Sequence, residues 1–297
     1  MEGAGPSPII GSDAAAEATN RHYELPPEVF GTFLDRRTKY SCALYPTGTE
    51  TLDEAQEAKL RFIADLLGLD GGERVLDVGC GWGAITLYLS SLGCRVTAVT
   101  PSRVQAGHVR AAARLARVAD RVEIRCGGYQ DLGLGDRRFD AVVMEEVIEH
   151  MPEHGGPIAK AYRELRRGGR LYVSASCYRS RGVRAEFASR PASRRAVELY
   201  GYTAMAVASE LVGHLEDAGF SVCTLTDLTA QYGITMREWH RRIRAGSGLD
   251  DVTLRIGDFF DATLAAWGYT AKLYALTAVR SRMGVWEERT HRLGAQP

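Results

Sequence analysis

Two short stretches hold residue types able to do chemistry. The run from Arg74 to Gly83 reads Arg-Val-Leu-Asp-Val-Gly-Cys-Gly-Trp-Gly. It starts as a buried strand (Val75, Leu76, Val78), then sets Gly79, Gly81 and Gly83 at alternate positions ahead of a helix-like segment, Ala84 to Leu92. Alternating glycines let backbone approach a ligand with no Cβ in the way. A helix starting just behind them offers free N–H groups. The spacing G-x-G-x-G misses the dinucleotide fingerprint by one residue, and no Gly-Lys-Ser/Thr follows, so a phosphate-cradling loop is excluded too. The second stretch, Glu146-Val-Ile-Glu149-His150, sets two carboxylates beside an imidazole. At i and i+3 on a helix the carboxylates share a face, and groups of this kind take up protons.

The elements that position these groups alternate. Strand-like runs occur at Arg74–Val78, Arg95–Thr100, Arg121–Arg125, Phe139–Met144 and Arg170–Ser174, with helix-like stretches between them. Two more follow late, Ser221–Leu228 and Leu273–Val279. Such alternation implies an α/β fold with a parallel sheet covered on both faces. Residues 1–20 read as a flexible N-terminus. Residues 21–70 read as mostly helical, with apolar spacing across Phe30, Phe33 and Leu34 and a capping box from Thr51 and Glu54. The core spans 71–178, a helical cover 179–220, and the rest of the core with inserted helices 221–297. The cover and the helical patch at 233–268 fall at or beside the carboxyl ends of strands, where open α/β sheets bind ligands.

The bulk numbers give an ordinary soluble globular balance, 45% hydrophobic and 25% charged. Of 297 residues, 37 are basic and 37 acidic, so no global charge points to nucleic acid or an anionic membrane surface. Lysine occurs only at Lys39, Lys59, Lys160 and Lys272, which reads as a genomic arginine bias. The six cysteines lack any C-x-x-C spacing and read as buried reduced thiols, with neither a disulfide framework nor a metal site expected. No apolar run reaches the length of a membrane span, and no leader pattern opens the chain, so the expected location is cytoplasmic. A homo-oligomer is compatible with the sequence.

Several blocks together make this chain resemble the cyclopropane fatty acid synthase group of class I methyltransferases, which includes the mycolic acid cyclopropane synthases and the coclaurine-type N-methyltransferases. The blocks are His22-Tyr23-Glu24-Leu25-Pro26 with Phe30, Phe33 and Leu34; Tyr40-Ser41-Cys42-Ala43; Gly79-Cys80-Gly81-Trp82-Gly83; Thr100-Pro101-Ser102 with Gln105 and His108-Val109; and Glu149-His150-Met151. The resemblance implies a Rossmann-like sheet of seven strands, the last inserted antiparallel beside the sixth. N-terminal helices and a helical cover around the sixth strand would complete it.

The resemblance also implies S-adenosylmethionine as cofactor and S-adenosylhomocysteine as product. Gly79 and Gly81 then face the methionine portion. Thr100 and Gln105 take the ribose side in place of the usual acidic residue; the plainer reading is helix capping by Thr100 or Ser102. Tyr129 and Gln130 flank the adenine, the amide still able to accept from its amino group. Tyr40 and Ser41 close over the cofactor, although Tyr40 reads equally as core. Glu145 is grouped with these cofactor-side residues. On the reacting side stand Glu146, Glu149, His150 and Tyr232.

The cyclopropane synthases bind bicarbonate through a Glu, a Tyr, a His and a Cys. Glu149 and Tyr232 match; the His position falls at Ser174 and the Cys position near Asp261, which would repel an anion. Six arginines (Arg179, Arg181, Arg184, Arg190, Arg194, Arg195) read either as a phosphate or carboxylate site or as a solvated face. The aromatics Phe187, Tyr200, Tyr202, Phe259, Phe260 and Trp267 read as pocket lining or as core.

The expected function is methylation of a small, largely apolar natural product, at nitrogen or at an alkene or isoprenoid carbon. The alternatives are cyclopropane synthesis on unsaturated acyl chains, and a cofactor-binding protein that no longer methylates.

Overall fold

The computed structural model describes residues 25–135, 138–187, 205–246 and 251–281. Expectations for His22, Tyr23, Glu24, Arg190, Arg194, Arg195, Tyr200 and Tyr202, and for the side chain of Phe187, lie outside the described residues.

One seven-stranded sheet organises the chain: β1 (Arg74–Val78), β2 (Arg95–Thr100), β3 (Val122–Cys126), β4 (Phe139–Glu145), β5 (Leu165–Tyr178), β6 (Ser221–Asp227) and β7 (Ala271–Val279). The order is β3-β2-β1-β4-β5-β7-β6, parallel through β5, with β7 antiparallel to both of its neighbours. All seven expected strands form. β5 runs longer than expected at both ends: β7 pairs along it as far as Tyr178↔Ala271, and Leu165 pairs with Phe139 of β4.

Side-chain alternation splits the core in two. Val75, Ala141, Val143 and Tyr172 pack with Leu60 and Ile63 of α2 (Leu52–Leu67) and Ile85 and Leu89 of α3 (Ala84–Ser91). Leu76, Val142, Met144 and Val173 face the other way, against Ile158 of α5 (Gly155–Glu164) and Leu211 and Leu215 of α7 (Ala208–Asp217). Between these helices in the chain lie α4 (Arg103–Leu115) and α6 (Arg181–Phe187).

The N-terminal segment is less helical than its apolar spacing suggests. Only α1 (Pro27–Gly31) and α2 form, and residues 32–51 run irregularly between them. Phe30, Phe33 and Leu34 are buried as expected, but in a third cluster shared with Trp239, Met236 and Ile243 of α8 (Thr229–Ala245) and Ile256 and Phe260 of α9 (Asp251–Leu264). The backbone gives up helix here for tertiary bonds. Ala43 donates to Thr235 Oγ1 (3.1 Å), Tyr45 donates to Gln231 Oε1 (2.7 Å), and Arg242 donates to the Leu34 carbonyl (2.9 Å).

α2 starts where the capping box placed it: Thr51 accepts from the Glu54 N–H while the Glu54 carboxylate accepts from the Thr51 N–H (2.9 Å). Gly68 closes the helix in the left-handed conformation, φ 63°. Thr51→Ala is expected to lower stability by about 1 kcal/mol, read as a lower urea midpoint at unchanged slope.

Candidate cofactor cavity and acidic wall

The strand order reverses between β1 and β4, and a cavity opens at the carboxyl ends of the strands there, as expected for open α/β sheets. It is lined by the glycine loop, by Thr100 and Gln105, by Gly128–Asp131 after β3, by Glu145–Val147 and His150 after β4, and by Thr38–Ser41 of the N-terminal segment.

The loop's glycines serve different ends. Gly79 (φ 74°) lies so close to Val147 that an added Cβ would meet its Cγ2 at 2.3 Å. Gly83 (φ 91°) would likewise strike Val109 at 2.9 Å. Gly81 (φ 52°) has nothing within 4 Å of an added Cβ, so this glycine leaves room beside the backbone on the cavity wall. The N–H groups of Gly79 and Cys80 are spent inside the fold, both on the Val99 carbonyl (2.9 and 3.0 Å).

Thr100 and Gln105 are tied together on the wall: the Thr100 hydroxyl donates to Gln105 Oε1 at 2.7 Å. The capping reading holds as well, since Ser102 Oγ accepts from the Gln105 N–H at 3.2 Å and starts α4. Tyr129 is buried on the wall, and the Lys160 ammonium sits 5.3 Å from its ring centroid. Gln130 lines the cavity and donates to Glu153 at 3.4 Å. Tyr40 fulfils both of its readings: it lines the cavity and packs on Phe30, Phe33 and Trp239, with centroids 5.6, 5.7 and 5.3 Å away.

Next to Ser41 lies a buried ion cluster. Glu145 is buried at the end of β4, and its Oε1 accepts from Lys39 Nζ at 3.0 Å and Lys59 Nζ at 2.8 Å. Lys39 Nζ also bonds Ser41 Oγ and the Cys42 carbonyl, and Lys59 Nζ reaches the same carbonyl at 3.3 Å. Both lysines are almost wholly buried, at 3% and 0% exposure. Burial pushes the Glu145 carboxyl up, but the two ammonium groups outweigh it and hold the pKa below the ordinary value. Sequence reasoning missed both lysines. The available signal was their scarcity: an arginine-biased chain keeps lysine at four positions, and two of them are here.

Glu146, Glu149 and His150 are not arranged as one helical face. Glu146 leaves β4 in a left-handed turn, φ 48°, sparsely populated for a non-glycine residue. Glu149 lies in a single 3-10 turn, Ile148–His150. The turn directs the two carboxylates differently. Glu146 lines the cavity, its Oε1 accepting from the Cys42 N–H at 2.8 Å and its own N–H donating to the Ser174 carbonyl at 2.9 Å. Glu149 turns toward β5, accepting from the Ser176 N–H at 3.0 Å, and its Oε2 is buried with no hydrogen bond. Burial first, then the Glu146 charge, raises the Glu149 pKa to about 8. Burial also raises Glu146, against Lys59. His150 lines the cavity; Glu149 and Tyr232 do not. Tyr232 sits on α8, edge-on to Trp239 and Trp267, with centroids 6.0 and 5.2 Å away.

Asp261 is not near these carboxylates. It is exposed on α9 and paired with Arg244 (2.7 Å) and His240 (3.0 Å). The cysteine that the fold brings to the acidic wall is Cys42, through its backbone, and not a residue near position 261. Burial pushes the Cys42 thiol up to about 12, so it is not a thiolate. Cys80, Cys94 and Cys177 are buried as well, whereas Cys126 and Cys223 are exposed on β3 and β6, against the expectation of burial.

Of the described cover arginines, Arg181 and Arg184 pair with Glu210 (3.6 and 2.7 Å) and Arg179 stacks on Tyr269 (4.6 Å), so none lines the cavity. Phe260 is core and Trp267 donates to the Thr229 carbonyl at 2.7 Å; neither they nor Phe259 line the cavity.

This sheet and cavity define a class I methyltransferase-type fold. The cyclopropane synthase MmaA2 of Mycobacterium tuberculosis superposes with a TM-score of 0.80 at 23% identity, over 89% of this chain and 97% of that one. Coclaurine N-methyltransferase superposes with a TM-score of 0.73 at 19% identity, over 93% and 90%. The chain belongs to the mycolic acid cyclopropane synthetase family, whose pattern it matches over residues 11–261. A curated relative from Mycobacterium tuberculosis, named Probable fatty acid methyltransferase, is 29% identical over 75% of this chain and 52% of its own length. The chain thus spans about half the length of that relative. No described helix is long and apolar enough to cross a membrane.

A carboxyl whose folded pKa is raised stabilises the fold below its unfolded pKa and loses that contribution as pH rises through the folded value. For Glu149 the window runs from about 4.5 to about 8. The melting temperature of the wild type should therefore fall relative to Glu149→Gln between pH 5 and 8 and run parallel above. Parallel curves throughout would show that Glu149 does not titrate as its burial requires.

Proposed function

We propose that the cavity holds S-adenosylmethionine and that this chain methylates a small, largely apolar natural product, at an amine nitrogen first and at an alkene or isoprenoid carbon second. The open wall at Gly81, the Thr100–Gln105 pair and the buried Tyr129 fit the amino-acid, ribose and adenine portions of that cofactor. When bound, the cofactor supplies a methyl group on a sulfonium. The chain's own part is alignment and the exclusion of water.

The observation that carries the amine reading is Glu146. Its carboxylate is fixed on the cavity wall by the Cys42 N–H, and burial raises its proton affinity. A carboxyl so placed accepts the proton that a secondary amine must shed. His150 shares this wall, and Glu149 stands behind it with an affinity matched to neutral and mildly alkaline pH. Tyr232 enters through the family resemblance alone. The structural neighbour coclaurine N-methyltransferase, which was solved with N-methylheliamine and S-adenosylhomocysteine, supports the amine reading. The cyclopropane reading loses support at Ser174, which stands where the resemblance implies a bicarbonate-binding His; this side chain is buried and accepts from the Glu146 N–H at 3.3 Å.

Calorimetry should show both S-adenosylmethionine and S-adenosylhomocysteine binding; heat from neither removes the reading. With a panel of apolar secondary amines, isoprenoid alkenes and unsaturated acyl lipids, methyl transfer to an amine is expected. Glu146→Gln should then lower turnover about 100-fold with little change in cofactor affinity. Unchanged turnover excludes Glu146 as the base, and cyclopropanated lipid as sole product overturns the substrate class.

A further inference from the structure

The Lys39–Glu145–Lys59 cluster asks for a purpose beyond holding the chain together. Both ammonium groups bond the same oxygen, Oε1. Among the described residues no hydrogen bond reaches the other oxygen, Oε2, although the carboxylate is nine-tenths buried and lines the cavity. Lys39 Nζ has three acceptors, Glu145, Ser41 and the Cys42 carbonyl, so its protons are used, and Lys59 is fully buried and does not line the cavity, so the cluster offers it no anion site. What remains on offer is one carboxylate oxygen on a residue that lines the cavity, and its natural complement is a cationic N–H donor.

The position is specific. β1 and β4 pair with Val78 opposite Met144, which sets Glu145 across the ladder from Gly79, at the glycine-loop end of the cavity. Asp77 is on the same wall, but the Thr86 hydroxyl donates to it (2.6 Å) and burial raises its pKa to about 7. Glu145 is the carboxylate that the lysines keep charged.

We infer that Glu145 Oε2 receives the α-ammonium group of the cofactor's amino-acid end, and that Lys39 and Lys59 are positioning residues that keep this carboxylate aimed. The inference rests on the cofactor reading above.

Three probes separate it from a purely structural role: S-adenosylhomocysteine; its decarboxylated form, which keeps the amine; and 5′-methylthioadenosine, which lacks the whole amino-acid end. In calorimetry the wild type should bind the decarboxylated amine at least about tenfold tighter than methylthioadenosine. Glu145→Gln should lose about tenfold or more for both amine-bearing ligands and stay within twofold for methylthioadenosine. The double variant Lys39→Gln/Glu145→Gln, which restores charge balance, should show the same selective loss. Equal wild-type affinity for the decarboxylated amine and methylthioadenosine overturns the inference without any variant. So does a uniform loss across all three ligands in a variant that still melts cooperatively. Failure of wild type to bind S-adenosylhomocysteine would instead remove the cofactor reading itself.

Discussion

The Glu145 carboxylate is where three remote parts of the chain are held to one another. Lys39 comes from the irregular N-terminal segment, 106 residues away, and Lys59 from α2, 86 residues away. A lone charge at this depth is strongly unfavourable, and removing one partner from a buried ion cluster costs about 3–5 kcal/mol. The three must therefore be buried together. The Cys42 carbonyl, accepting from both lysines, fixes the backbone whose N–H then holds Glu146. The position of the acidic wall thus depends on a salt cluster one residue away.

The glycine loop shows a similar division of labour. Gly79 and Gly83 are required by protein atoms, Val147 and Val109, which close the turn from both sides. Gly81 is the member with open space in front of it. Val147 follows directly after Glu146, so the strained turn that points Glu146 into the cavity also packs against the loop opposite. Glycine loop and acidic wall follow directly on the neighbouring strands β1 and β4.

The strands were readable because each is a short apolar run between turn signals, and Thr51–Glu54 and Ser102 announced their helices by side-chain chemistry alone. Glu145 stood among the candidate cofactor residues with no partner to explain it. Lys39 and Lys59 were not legible, since a charge in sequence reads as solvated until its counter-ion, a hundred residues off, is placed. The helical spacing of Phe30, Phe33 and Leu34 was real as burial and misleading as secondary structure, because the partners that bury them come from α8 and α9. The helical face expected for Glu146 and Glu149 failed for a local reason: the left-handed turn at Glu146 breaks the period. Asp261 fails at the site because it occupies the exposed face of α9, paired with Arg244.

The third hydrophobic cluster sets an order of events during synthesis. Ala43, Tyr45 and Leu34 find their hydrogen-bond partners 192, 186 and 208 residues later. Contacts of such separation are the last to be rewarded, since loop closure precedes them. The sheet from β1 to β5 can consolidate while the first fifty residues still lack Trp239 and Phe260 to cover Phe33. Until α8 and α9 emerge from the ribosome, Trp82 of the glycine loop covers Phe30 but Phe33 lacks the Trp239 and Phe260 rings, so a nascent chain stalled before residue 229 keeps apolar surface exposed.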